Sequence, residues 1–221
     1  MNRMQNRSLV ISLLSLLLVL VFTVDSFACA CCAEPGTRYS GVQRIDSFYL
    51  GLLDNIDFAK TAELYTTEAG FDTIVGLGSL RKEYESDSWT AESGSFGLNG
   101  VFSKKAWRLS FKTKNGTAGS LLLPMPAQMR ILKVDTRDNS DTGNGPILYK
   151  EMVFEGRITT GTGFFRSGLS RPATYTLVFQ GRGNGCDNAT DYGHWNFEVN
   201  GPKAKYAFYG QTATTSIESA E

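Results

Sequence analysis

The chain is poor in the residues from which many catalytic and nucleic-acid-binding sites are built. Its 221 residues include a single histidine, and 22 Lys and Arg are balanced by 22 Asp and Glu. A protein that binds nucleic acid or an anionic membrane surface typically carries an excess of basic residues, which this composition does not provide. The sequence therefore predicts no nucleic-acid partner, and it offers few ways to assemble histidine-dependent catalysis.

Long hydrophobic runs are also missing, with one exception near the N-terminus. Two arginines precede an apolar run over Leu9–Val24, and small residues follow at Ser26 and Ala28. This order is typical of a secretory signal peptide, which is removed from the mature protein. We therefore predict a signal peptide over residues 1–28, a secreted or periplasmic location, and no stable membrane span after cleavage.

Two alternatives to cleavage stay open at this leader. The apolar run approaches the roughly 17–20 residues that span a bilayer, so it can be interpreted as a membrane anchor. Lipidation of Cys29 would instead give a membrane-anchored lipoprotein, although Ser26 and Phe27 fit the usual lipoprotein signal poorly. Cleavage is favoured because the run is short and small residues end it.

Cysteine is scarce and unevenly placed. The N-terminal segment 29–36 holds Cys29, Cys31 and Cys32, and Cys186 is the only distant cysteine. Exported proteins retain disulfides, and neighbouring residues, with Cα atoms about 3.8 Å apart, are too close for an ordinary bridge. We therefore predict one structural disulfide between this segment and Cys186.

A soft-metal or redox site is the alternative for the same cysteines. Thiolates that lie close together suit Cu(I) or Zn(II), and the ligands would be Cys29, Cys31 and Cys32. The thiol set is incomplete for a zinc knuckle, and the strand and helix that flank a thioredoxin-type motif are missing. Beyond such a soft metal ion, or calcium, the sequence predicts no cofactor.

Most of the remaining chain alternates apolar and polar residues and lacks a helical period. Over Ala106–Thr113, Trp107, Leu109 and Phe111 share one face of a candidate strand. Similar alternation recurs around Trp195, where Gly- and Asn-containing turns separate the candidate strands. The pattern predicts an all-β fold whose core includes Trp107 and Trp195.

The domain organisation follows from this pattern. We predict a single-domain antiparallel β-sandwich or jelly roll over residues 37–210, because short strands alternate with turns and no linker divides them. At most a short helix is expected, near residues 52–65. Residues 211–221 are polar and aperiodic, which predicts a flexible tail.

A Gly-rich polar stretch over Gly181–Trp195 separates two candidate strands. Asp187, Asp191 and His194 can approach one another there to bind a ligand or a cation. His194 is also a candidate general base, oriented by an aspartate. The alternative, which we favour, is a long ordered turn held by Cys186.

Oxygen-bearing side chains are concentrated in a second stretch, Asp135–Gly145. Asp135, Asp138 and Asp141 are candidate ligands for Ca²⁺, a cation that prefers oxygen donors. Their spacing departs from that of the EF-hand loop. A solvated surface loop is therefore the favoured interpretation.

Motifs for nucleophilic catalysis are absent, since no Gly-x-Ser-x-Gly elbow occurs and no carboxylate pair stands out. We predict a secreted, non-enzymatic β-sandwich that binds a carbohydrate or protein ligand outside the cytoplasm. Two alternatives are an extracellular hydrolase acting on polysaccharide and a cysteine-based metal-binding or redox protein. The sequence favours a non-enzymatic function over an enzymatic one.

Overall fold

A computed structural model describes residues 36–65, 75–80, 94–135 and 148–213. Contacts divide the chain into two units, Met1–Ala30 and Cys31–Glu221, and the described residues all lie in the second unit. The predicted signal peptide, the three N-terminal cysteines, Asp138 and Asp141 lie outside the described residues. Within those ranges, no helix has the length and hydrophobicity needed to cross a bilayer.

The described residues form twelve strands, one α-helix and three short 3₁₀ turns. The first six strands are β1 (Arg38–Arg44), β2 (Asp57–Phe58), β3 (Thr61–Tyr65), β4 (Ser95–Ser103), β5 (Ala106–Lys112) and β6 (Ala118–Pro124). The other six are β7 (Gln128–Asp135), β8 (Leu148–Ile158), β9 (Thr160–Gly163), β10 (Ala173–Gly183), β11 (His194–Gly201) and β12 (Ala204–Ala213). The helix α1 spans Ser47–Asp54, and the 3₁₀ turns span Gly78–Leu80, Gly168–Ser170 and Ala189–Asp191.

The strands join in one sheet in the order β1-β7-β8-β10-β11-β12-β3-β4-β5-β6-β9, and β2 pairs with β12. Every described strand pairing is antiparallel. Strands that are distant in this order pack face to face. Trp107 of β5 lies 5.0 Å from Phe154 of β8 between ring centroids, and the Tyr175 hydroxyl of β10 donates to the Pro124 carbonyl of β6. The predicted all-β, sandwich-like fold is therefore confirmed.

Aromatic side chains dominate the core between the two packed faces. Trp107 and Trp195 are each 1% exposed, as the alternating pattern predicts. Edge-to-face and tilted ring pairs link the strands, in the geometries that the aromatic quadrupole favours. The aromatic side chains that are almost completely buried are Trp107, Trp195, Tyr175, Tyr192, Phe96, Phe111, Phe154, Phe165, Phe179, Phe197 and Phe208.

The helix begins earlier than the segment 52–65 in which the sequence predicts one. Asp46 caps α1, because its Oδ1 accepts hydrogen bonds from the backbone N–H groups of Phe48 and Tyr49 at 3.0 and 3.1 Å. Half of the predicted segment forms β2 and β3 instead. In β3, alternate residues are buried, as expected for a strand with one face on the core.

The last strand also continues beyond residue 210, where the sequence predicts the tail to begin. Gln211 and Thr212 belong to β12. The Trp195 indole N–H donates to the Gln211 carbonyl at 3.1 Å, and the Thr212 hydroxyl donates to the Tyr192 carbonyl at 2.6 Å. These hydrogen bonds to buried aromatic residues hold the backbone of Gln211 and Thr212 in place, although the polar sequence alone predicts a flexible segment there.

Candidate functional site

The outer face of the sheet carries an exposed aromatic pair where β3 and β12 lie side by side. Tyr65 is 71% exposed and Tyr209 is 41% exposed, and their rings meet edge to face with centroids 6.3 Å apart. The Tyr209 hydroxyl donates a hydrogen bond to Oε2 of Glu63, which lies opposite it in the strand register. This bond is the largest cause of the raised pKa of Tyr209. We call Tyr65, Tyr209 and Glu63 the tyrosine platform.

A groove of about 700 Å³ begins at Glu63 and crosses β3, β4 and the end of β5. Thr61, Gly97 and Lys112 lie in one register row across these strands. Because Gly97 has no side chain, the surface is recessed between the side chains of Thr61 and Lys112. We call this depression the platform groove. Its lining residues are Thr61, Glu63, Ser95, Phe96, Gly97, Lys112, Thr113 and Lys114.

An unsatisfied acceptor lies next to the platform. Asn196 of β11 pairs with Tyr209, and its Oδ1 is buried without a hydrogen-bond partner among the described residues. A buried acceptor without a donor costs free energy, typically about 1–3 kcal/mol.

The predicted residues Asp187 and Asp191 meet in the interior, at a different place from the platform. Both contact the ammonium group of Lys150, which is fully buried: Nζ lies 2.7 Å from Asp191 Oδ2 and 3.4 Å from Asp187 Oδ1. Lys150 also donates to the Cys186 carbonyl at 2.5 Å, and Lys133 Nζ lies 2.9 Å from Asp187 Oδ1. We call Lys133, Lys150, Asp187 and Asp191 the buried ion cluster.

Two tyrosine hydroxyls complete the contacts of Asp187. Tyr49 of α1 donates to Oδ2 at 3.4 Å, and Tyr192 donates to Oδ1 at 3.3 Å. Burial, followed by the charge of Asp187, raises the pKa of Tyr49 to about 12. The same two causes, in the same order, raise the pKa of Tyr192. Both phenols therefore stay neutral and donate hydrogen bonds at physiological pH.

His194 lies apart from the contacts of this cluster. It is exposed on the outer face at the start of β11, opposite Gln180 and Gln211, whereas the next residue, Trp195, points into the core. Asp135, the one described member of the predicted calcium loop, is buried at the end of β7. Within the described ranges, no three His, Cys, Asp or Glu side chains group as metal ligands would.

The stretch that carries the two aspartates packs closely on β10 at Gly181. A Cβ atom at this position would lie 1.8 Å from the Asp191 carbonyl oxygen, which belongs to the backbone and cannot rotate away. We expect Gly181→Ala to lower the free energy of unfolding by about 1–3 kcal/mol or more, because the chain must shift to relieve the overlap. Urea denaturation followed by circular dichroism measures the change.

Gly97→Ala is the matched control, since the Cβ would lie 3.6 Å from its nearest neighbour, an ordinary contact. This variant should match or slightly exceed the stability of the original chain, because alanine restricts the unfolded backbone. Equal denaturation midpoints for the two variants would contradict the packing of Asp191 on Gly181.

The sequence holds signals for both groups of residues. Lys150 alternates in β8 with Leu148 and Met152, whose side chains are buried. Side chains two residues apart share one face of a strand, so the charge of Lys150 lies on the core side of β8. A lysine in such a row indicates a buried partner of opposite charge. Tyr65 and Tyr209 fall on the outer sides of their strands by the same parity.

Comparisons with known proteins assign the chain to no family. It matches no protein-family model, no curated protein and no solved structure. The described features that bear on its function are the platform, its groove and the buried ion cluster.

Proposed function

We propose that this protein binds a saccharide outside the cytoplasm without transforming it. The tyrosine platform carries the proposal, because exposed tyrosine rings beside a carboxylate are suited to a sugar. The apolar face of a pyranose ring stacks on the aromatic ring, and the carboxylate accepts hydrogen bonds from sugar hydroxyls. The exposed ring of Tyr65 provides the stacking surface, and Glu63 provides the acceptor.

The platform groove extends this surface and suggests the charge of the ligand. Its floor at Gly97 leaves room for a second sugar unit, and exposed Lys112 lies in the same register row. A cationic ammonium group at the end of a groove favours an acidic sugar, such as a uronic acid, over a neutral one. The proposed ligand is therefore a polysaccharide with carboxylate groups.

Binding is favoured over hydrolysis by the composition of the groove. Glycoside hydrolysis commonly uses two carboxyl groups about 5–10 Å apart. Among the described residues that line the groove, Glu63 is the one carboxylate, and it already accepts a hydrogen bond from the Tyr209 hydroxyl. The alternative of a polysaccharide hydrolase would need a second acid at this place.

The proposed location outside the cytoplasm depends on the leader and on a disulfide that ends at Cys186. The Thr37 carbonyl accepts from the Asp135 N–H at 2.8 Å, and Lys133 donates to the Gly185 carbonyl at 3.1 Å. The residue before β1 is thus bonded to the C-terminal end of β7. The same end of β7 contacts the stretch that contains Cys186. No described cysteine is free, which supports a bridge to Cys29, Cys31 or Cys32.

Affinity electrophoresis of the purified, processed protein tests the proposed function. The gels contain pectin, alginate, xylan, xyloglucan or soluble chitin, and we expect retardation by at least one acidic polysaccharide. Isothermal titration with that polysaccharide should then give an affinity about tenfold lower for Tyr65→Ala, equivalent to roughly 1.4 kcal/mol. Gly97→Val should weaken binding too, because its side chain occupies the groove floor, where an added Cβ makes only ordinary contacts.

Tyr39→Ala is the matched control, since Tyr39 is an exposed tyrosine on β1, away from the platform. It should bind like the original protein. Migration unaffected by all five polysaccharides, or equal losses for Tyr65→Ala and Tyr39→Ala, would refute the proposal.

A further inference from the structure

The buried ion cluster places an amine and a carboxyl group in direct contact inside the protein. Lys150 projects from the inward face of β8, and its Nζ lies 2.7 Å from Asp191 Oδ2. We propose that these two side chains condense to an intramolecular amide, which joins β8 covalently to the 3₁₀ turn Ala189–Asp191. The proposal concerns the interior and is independent of saccharide binding on the outer face.

The condensation is balanced without any additional reactant. One proton passes from the Lys150 ammonium to the Asp191 carboxylate along their hydrogen bond, which gives a free amine and a carboxylic acid. The amine nitrogen attacks Cγ of Asp191, and the C–N bond forms. The C–OH bond then breaks, and the hydroxyl leaves with a proton from the nitrogen as one water molecule. No atom is oxidised or reduced.

Asp187 is positioned to carry the proton in this step. Its Oδ1 lies 3.4 Å from Lys150 Nζ, so it can accept the proton that the nitrogen loses and pass it to the departing hydroxyl. Tyr49, Tyr192 and Lys133 hold this carboxylate in place. Asp187 is therefore a proton relay for the reaction, whereas Lys150 and Asp191 are the reacting groups.

The surroundings hold both reacting groups in place. The Cys186 carbonyl accepts from Lys150 Nζ at 2.5 Å, and the Asn188 side chain accepts from the Thr190 N–H at the start of the 3₁₀ turn. Groups held in contact react with effective concentrations far above those in solution. The lysine is fully buried, so the product amide is also screened from hydrolysis by bulk water.

The charges of the cluster favour the product. Lys133 and Lys150 face Asp187 and Asp191, so two cations are matched by two anions. Burying a charged pair costs desolvation free energy that its attraction only partly repays. Condensation removes one cation and one anion together, and Lys133 with Asp187 stays a matched pair.

Mass spectrometry of the reduced, denatured protein tests the amide directly. Trypsin does not cleave after an amidated lysine, so residues 138–157 should appear as one peptide joined to residues 183–203, lighter than their sum by one water molecule. We expect this branched peptide from the purified protein. Three separate peptides, 138–150, 151–157 and 183–203, with no loss of water, would overturn the proposal.

Three variants separate the roles of the residues. Lys150→Arg should give no branched peptide, because the guanidinium is a poor nucleophile. Asp187→Asn should keep the fold, measured by circular dichroism, but lose at least nine-tenths of the branched peptide. Glu155→Gln alters an exposed ion pair elsewhere on β8 and should leave the branched peptide unchanged. A folded Asp187→Asn variant with full cross-linking would overturn the proton-relay role.

Discussion

Replacement of Lys150 with methionine is expected to lower the free energy of unfolding by about 3–5 kcal/mol, because it leaves buried carboxylates without their cation. Asp191 loses the ammonium at 2.7 Å, and Asp187 keeps only Lys133 among its described cationic partners. Methionine has a similar length and packs well in apolar surroundings, so the loss of charge dominates. Loss of the proposed amide adds to the effect. Equilibrium denaturation in urea measures it.

The control is an ion pair of similar length at the surface. Arg130 Nη2 lies 2.9 Å from Glu155 Oε1, but the two side chains are 57% and 54% exposed. Water solvates both groups after the pair is broken, so Arg130→Met should change stability by at most about 1 kcal/mol. A Lys150→Met variant no less stable than Arg130→Met would show that the interior cluster tolerates an unpaired carboxylate.

Trp107→Ala is expected to cost about 3–5 kcal/mol, because it opens a large cavity in the aromatic core. The indole is 1% exposed and lies between Phe102 and Phe154, with ring centroids at 5.3 and 5.0 Å. It therefore joins the two faces of the sandwich. Urea denaturation should show the loss by far-UV circular dichroism, a signal that does not require the tryptophan.

Val101→Ala on the neighbouring strand β4 is the control for general strand effects. Val101 is exposed on the outer face, so its truncation should change the free energy of unfolding by only about 0.5 kcal/mol. A loss for Trp107→Ala that does not exceed this value would mean that the two faces can close around the missing ring.

Much of the fold could be predicted because each strand has one face on the core. Over Ala106–Thr113 the alternation identifies a strand and its inward side, and Trp107 is buried as this predicts. The helix was harder to predict because it buries only Leu52 and Leu53, too few apolar residues for a helical period. Its start depends on the local cap at Asp46.

The candidate site could be predicted only in part, because it is formed by strands that are distant in the sequence. Asp187 and Asp191 belong to one stretch, so their proximity follows from local spacing. The cation between them, Lys150, comes from another strand, and only the pairing of β8 with β10 brings it there. Likewise, Tyr65 meets Tyr209 because β3 pairs with β12.

The pairing of β3 with β12 has a consequence for the order of folding. Leu64 lies opposite Phe208, so an early strand finds its neighbour only near the end of the chain. Contacts of such long sequence separation make all-β domains slow to fold, often in milliseconds to seconds. Until β12 emerges, β3 lacks that partner and can pair with another molecule. The sheet is therefore completed only after the C-terminal strand has been synthesised, and the half that contains β3 waits for almost the whole chain.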